Sequence, residues 1–210
     1  KPYVWSNATI MADGNVLVDA VAADLKKRGI TPVIIEGVNK GQSDFSALIT
    51  KLKNANVDFV YWGGFHPEAG AILRQGADQG FKPVFMGADG VDNADLFAIA
   101  GDAAEGVLAT VPMDFSADPK NAAIVEAIKA KKQDPNGPFV MPAYSAVQVL
   151  AEAANRSKSD DPDTIAKELR KGEYETAIGK IAFEENGDLK DFHSVVYELH
   201  ADGRKILKSQ

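Results

Sequence analysis

Three short segments carry residue types suited to holding a small polar molecule: Asn7-Ala-Thr-Ile-Met-Ala-Asp-Gly14, Gly63-Gly-Phe-His-Pro-Glu68 and Gly87-Ala-Asp-Gly90. Gly63 and Gly64 allow a ligand close to the backbone. Pro67, just beyond them, marks the first turn of a helix, whose free N–H groups favour an anion such as a carboxylate. Phe65 and His66 offer an apolar or stacking wall. Asp89, held between glycines, is an acceptor able to neutralise an ammonium group, and Asp13 is a second acceptor. This is the chemistry of binding. The same residues also have plainer readings: glycine-rich loops after strands are often only turns, and Asp89 suits a cap or turn position.

The chemistry of turnover is harder to find. The sequence contains no G-x-S-x-G, G-x-x-x-x-G-K-[ST] or H-E-x-x-H, and no G-x-G-x-x-G after a strand. His66, His193 and His200 lack metal-ligand spacing. The last two read as surface or hairpin residues without a chemical role. There is no cysteine among the 210 residues, which excludes disulfides, zinc thiolates and thiol nucleophiles. The formal charge of −7 disfavours nucleic acid, whose binding rests on cations neutralising phosphates. No apolar run is long enough to cross a membrane as a helix. No cofactor or metal is expected.

The elements that must position the three segments follow from periodicity. Strands are expected over Tyr3–Ser6, Pro32–Ile35, Val57–Trp62, Pro83–Met86 and Val107–Val111. Helices are expected between them over Val16–Arg28, Ser43–Asn54, Pro67–Gln79 and Ala94–Ala100. The second helix carries Phe45, Leu48, Ile49 and Leu52 at i, i+3, i+4, i+7, with Ser43 or Asp44 as its cap. Short, uniformly apolar strands predict a parallel sheet covered on both faces. Strand–helix repetition then gives a doubly wound α/β sheet, in which the three segments line one crevice at the carboxyl ends of the strands.

The pattern changes after Pro112. A linker over Pro112–Pro119 precedes a helix over Ala122–Lys132, with Ile124, Ala127 and Ile128 inward. Asp134-Pro-Asn-Gly-Pro138 is a break. A small-residue helix over Ala143–Asn155 follows, with Val147, Leu150, Ala151 and Ala154 on one stripe. Another helix starts at Asp161-Pro162. Ile178–Glu184 before Asn186-Gly187, and Ser194–His200 before Asp202-Gly203, give hairpin or tight-turn signals. The expected organisation is one α/β lobe from 1–112 and 194–210, with 113–193 as elements of another.

Several stretches, in order, are familiar: Gly41-Gln-Ser-Asp-Phe-Ser-Ala-Leu-Ile49, Asp58-Phe-Val-Tyr-Trp-Gly-Gly64, Ile99-Ala-Gly-Asp-Ala-Ala-Glu-Gly106, Asp134-Pro-Asn-Gly-Pro138, Ala143-Tyr-Ser-Ala-Val147 and Glu185-Asn-Gly-Asp-Leu-Lys190. From about residue 14 onward the chain resembles the leucine/isoleucine/valine-binding proteins, the substrate-binding components of branched-chain amino acid ABC transporters. The resemblance implies two α/β lobes of the type-I periplasmic-binding-protein fold, hinge-bending capture of an amino acid, and delivery to a membrane permease. It implies a binding protein rather than an enzyme, located in the periplasm or lipid-anchored outside the cell.

The family's second-lobe pocket positions fall on Asp13, Phe65 and Asp89, beside Gly64 and His66. Family members usually carry Tyr, Tyr and Glu at the first three. Asp89 keeps a carboxylate one methylene shorter, Phe65 keeps the ring without the hydroxyl, and Asp13 puts a charge where the family has a ring. That charge suits a polar or cationic ligand better than leucine. Measured against the family, the chain is expected to be truncated, lacking a first stretch of about 120 residues, the size of a domain. Segment 143–155 would then expose an apolar stripe, to be covered in a homodimer or by exchange of elements. A ligand-sensing or interaction module of the same fold is the alternative. An enzyme using Asp13 and Asp89 as acid and base would need a nucleophile or cofactor that no motif supplies.

Overall fold

The computed structural model describes residues 3–8 and 12–209, with backbone alone for 3–8, 12–16 and 209. The chain divides into two compact units, one of Lys1–Val111 with Val195–Gln210 and one of Pro112–Ser194.

The larger unit is built on seven strands: β1 (Tyr3–Ala8), β2 (Ile34–Val38), β3 (Phe59–Trp62), β4 (Val84–Gly87), β5 (Val107–Pro112), β8 (Ser194–Leu199) and β9 (Lys205–Ser209). Their order is β2-β1-β3-β4-β5-β8-β9. β1 through β4 run parallel to their neighbours and β4 runs parallel to β5, while β8 and β9 form an antiparallel hairpin through Asp202-Gly203. The chain steps from β1 to β2 on one side and then to β3 on the other. The switch point therefore lies at β1/β3. Trp62 at the end of β3 is in register with Gly87 at the end of β4, so the loops that follow leave the sheet at one level.

Helices α1 (Ala12–Lys27), α2 (Ser46–Asn54), α3 (His66–Asp78) and α4 (Ala94–Ala100) cross between the strands. Ile49, Leu52 and the preceding Phe45 are fully buried, as the spacing predicts. The cap differs: the N-cap is Phe45, whose ring is core, and Asp44 Oδ1 accepts from Ser46 N–H at 2.9 Å just outside. Asn93 does cap α4, accepting from Asp95 N–H at 2.8 Å. α3 crosses α4 closely at Gly70, where a Cβ would lie 2.8 Å from Ile99 Cγ2. Trp62, Leu96 and Val91 are fully buried. Each such side chain contributes about 1.5–3 kcal/mol on leaving water.

Two expectations are corrected here. α1 begins at Ala12, so Asp13 and Gly14 belong to the helix rather than to the loop after β1. Residues 9–11 of that segment lie outside the described residues. The sheet is also not covered throughout, because Ile35 on edge strand β2 and Val84 at the start of β4 are exposed.

The smaller unit contains α5 (Ala122–Ala130), α6 (Val140–Ser157), α7 (Pro162–Leu169) and the antiparallel pair β6 (Tyr174–Thr176) and β7 (Gly179–Ile181). Its core is small. Val149, Ala153 and Tyr174 pack with Ile165, Leu169, Ile181 and Phe183. Asn121 is buried before α5 and donates from Nδ2 to the carbonyls of Phe115 (2.9 Å) and Ala177 (2.8 Å). α5 has no fully buried residue, and Ala127, expected inward, is exposed. α6 turns Met141, Ser145, Val149 and Ala153 inward at four-residue spacing. Val147 and Leu150 on the other stripe stand 67% and 52% exposed.

Candidate functional site

The loops after β3 and β4 touch. A Cβ on Gly90 would lie 2.7 Å from the Gly64 carbonyl oxygen and 3.2 Å from Phe65 Cδ1. That spacing holds the β4 loop against the β3–α3 turn, and only glycine fits it without moving backbone. Ala88 N–H donates to the Trp62 carbonyl at 3.3 Å, a second tie between the loops. Gly90 was not singled out from sequence. Its signal was there in the Gly-Ala-Asp-Gly run, but which loop it meets depends on strand order.

Phe65 is the N-cap of α3, with extended backbone. The buried Trp62 indole N–H donates to its carbonyl at 3.0 Å, and Ala69 N–H donates to the same carbonyl at 3.2 Å. The backbone is thus fixed from both sides while the ring remains 43% exposed. No side-chain oxygen caps α3. Glu68, in its first turn, is buried and accepts from Gly41 N–H at 2.9 Å. Gln75 accepts from Phe45 N–H at 2.8 Å and donates to the Ser43 carbonyl at 2.7 Å. These two side chains from α3 order the 39–45 loop.

His66 is half-buried, with Nε2 3.9 Å from Asp95 Oδ2 at the start of α4. Asp89 is exposed and opens a single 3₁₀ turn over Asp89–Val91. Its carbonyl accepts from Asp92 N–H at 3.1 Å. Its charge reaches the Tyr61 hydroxyl, whose pKa is pushed up to about 12, first by burial and then by Asp89. Gly87 lets the turn sit tightly on the core, since a Cβ there would lie 2.5 Å from Val91 Cγ1. An ion pair clamps the far side of the turn: Lys205 Nζ on β9 lies 2.7 Å from Asp92 Oδ2, whose side chain is 6% exposed. Neither member of that pair was picked out in the sequence, where they stand 113 residues apart.

The geometry therefore brings Gly64, Phe65 and the Asp89 turn together beside the switch point, with His66 next along α3. The Asp13 side chain lies outside the described residues. Among the described residues no group of three or more His, Cys, Asp or Glu could hold a metal ion. His200 is not a free hairpin residue: its Nδ1 is 2.5 Å from Glu105 Oε1 and its Nε2 is 3.2 Å from Glu198 Oε1.

A doubly wound lobe with its loops gathered at the carboxyl ends of β3 and β4 is the architecture of a ligand-binding α/β module. The chain belongs to the periplasmic binding protein family, whose family model matches residues 7–203. It is 48% identical to the leucine-, isoleucine-, valine-, threonine- and alanine-binding protein of Pseudomonas aeruginosa, over 97% of this chain and 56% of that protein. It is 47% identical to the Leu/Ile/Val-binding protein of Escherichia coli, over 90% of this chain and 51% of that protein. A solved leucine-binding protein from Thermotoga maritima superposes with a TM-score of 0.85 at 28% identity, covering 100% of this chain and 60% of that one. The fold is the type-I periplasmic-binding-protein fold. The chain spans about half the length of the curated relatives it matches.

Proposed function

We propose that the larger unit is one wall of an amino-acid cleft in a solute-binding protein that serves a branched-chain-type ABC transporter. Asp89 meets the ligand's ammonium, the uncapped first turn of α3 at Gly64–His66 meets its carboxylate, and the Phe65 ring meets its side chain. Asp13 stands as a further contact from the start of α1. The protein works by capture and release to a membrane permease in the periplasm, without turnover. Support comes from the relatives' ligands and above all from one contact: Gly90 against Gly64 and Phe65, which sets the Asp89 turn beside the start of α3.

The larger unit is then the second lobe of such a protein, and the unit Pro112–Ser194 represents crossover and tail elements of its first lobe. Its small core and the exposed Val147 and Leu150 support this reading, because such a face needs cover from further chain or from a second copy.

A thermal-shift screen against the α-amino acids tests the ligand class. Stabilisation grows with ligand as RT ln(1 + [L]/Kd), so the expected result is a concentration-dependent rise in Tm with an apolar amino acid. Asp89→Ala, at an exposed side chain, should remove the rise and leave the unliganded Tm unchanged. A rise that persists in that variant overturns the ammonium role.

A further inference from the structure

The larger unit has a second concavity, at the opposite end of the sheet from the Asp89 turn. Phe81, Lys82 and Pro83 precede β4, and Asp102 to Glu105 precede β5, so these residues lie at the amino ends of the strands. Together with Val60 of β3, Phe85 of β4 and one face of α3 they enclose a cavity of about 380 Å³. That volume is at the lower end of the range of about 300–1,000 Å³ found for small-molecule sites. The floor is apolar and buried, made by Ile72, Leu73, Phe81 and Phe85.

The mouth holds three charges: Lys82, Asp102 and Glu105. Glu105 is committed. One carboxylate oxygen faces His200 Nδ1 at 2.5 Å, and the other accepts from Ala201 N–H at 3.0 Å. Neither Lys82 nor Asp102 makes a side-chain hydrogen bond or ion pair among the described residues. The mouth therefore offers one spare cation and one spare anion over an apolar floor. A ligand with a single charge would meet one of them and leave the other to solvent. A ligand with both charges on one small head satisfies both.

We propose that this cavity is a second ligand site, for a compact zwitterion with an apolar body: an α-amino acid with an aliphatic or aromatic side chain, its carboxylate on Lys82 and its ammonium on Asp102. The site is independent of the Asp89 cleft and stands whether or not that cleft binds.

The test is a ¹⁵N–¹H NMR titration of the full chain with L-leucine, read at the amides of Ala77, Phe81 and Ala103. The amides of Gly64, Phe65 and Gly90 report the other site in the same spectra, so the two readings fail or succeed separately. The expected result is saturable movement at Ala77, Phe81 and Ala103. Asp102→Asn and Lys82→Met should each weaken it about three- to fivefold, the scale of an exposed charge contact. 3-Methylbutylamine, which lacks the carboxylate, and 4-methylpentanoate, which lacks the ammonium, should weaken in the same way. Ala77→Leu, which fills the cavity, should abolish the movement. Both charged side chains are exposed, so their loss leaves the fold intact. Unmoved amides with leucine, single-charge analogues that bind as tightly as leucine, or binding unchanged in Asp102→Asn and Lys82→Met would each overturn the proposal.

Discussion

Lys205 and Asp92 show how a residue far from a site can decide its shape. Asp92 directly follows the Asp89–Val91 turn and is almost fully buried, and Lys205 is its charge partner. Removing the cation leaves a buried carboxylate without its partner. Lys205→Met is expected to cost about 1.5–3 kcal/mol in urea unfolding, the range for a hydrogen bond to a charged group. Adding Asp92→Asn should recover part of that loss, because paired deletions in contact are not additive. Full additivity would contradict the coupling. At this scale the sequence was only partly legible. Asp89 and Phe65 stood out by type and by position after a strand. Gly90, Trp62, Asp92 and Lys205 did not, because their roles come from neighbours set by strand order rather than by spacing along the chain.

Among the elements, the first half read well. Helix α4 spans Ala94–Ala100 as the pattern predicts, and the parallel strands lie within a few residues of their expected places, because buried apolar runs bounded by turn residues are unambiguous. Strand β6 went unread. Tyr174–Thr176 is three residues long, and its pairing with β7 depends on the Ala177-Ile178 turn and on Gly179 at φ +102°. The start of α1 was misplaced because Asp13-Gly14-Asn15 resembles a loop when read locally.

The β8–β9 hairpin carries a pH signature. The His200 hydrogen bond holds the Glu105 carboxyl below its ordinary 4.5, helped by the Ala201 N–H. Lys208 lowers Glu198, and Arg204 lowers Asp202. A carboxyl lowered on folding contributes stability above its unfolded value and loses it as pH falls through the folded value. The Tm should therefore drop as the pH is taken below about 4.5, and Glu105→Gln should make the drop shallower. An unchanged slope in that variant would contradict the assignment. Helix α6 supports a different prediction. Its exposed Val147 and Leu150 should promote concentration-dependent association, seen by light scattering. Val147→Glu with Leu150→Glu should weaken it at least about tenfold, since burying each side chain is worth about 1.5–3 kcal/mol. A monomer at all concentrations would count against a covered face.

For the whole molecule, the two units differ in how complete they are. Lys1–Val111 with Val195–Gln210 has a seven-stranded sheet, crossing helices and a large core. Pro112–Ser194 has three helices, a three-residue strand pair and a small core. The chain matches about half of each longer relative. The fold class was legible because alternating strands and helices of this spacing leave few topologies open. The ligand was less legible, since its identity rests on a few side chains at loop ends.

In the proposed function an amino acid sits at the carboxyl ends of β3 and β4, against the Gly64–His66 turn and Asp89. The most direct measurement is the movement of the Gly64, Phe65 and Gly90 amides when an apolar L-amino acid is added to the ¹⁵N-labelled chain. Saturable movement of all three, lost in Asp89→Ala, is the expected result. Amides that stay still at every concentration, or that move equally in the variant, would contradict it.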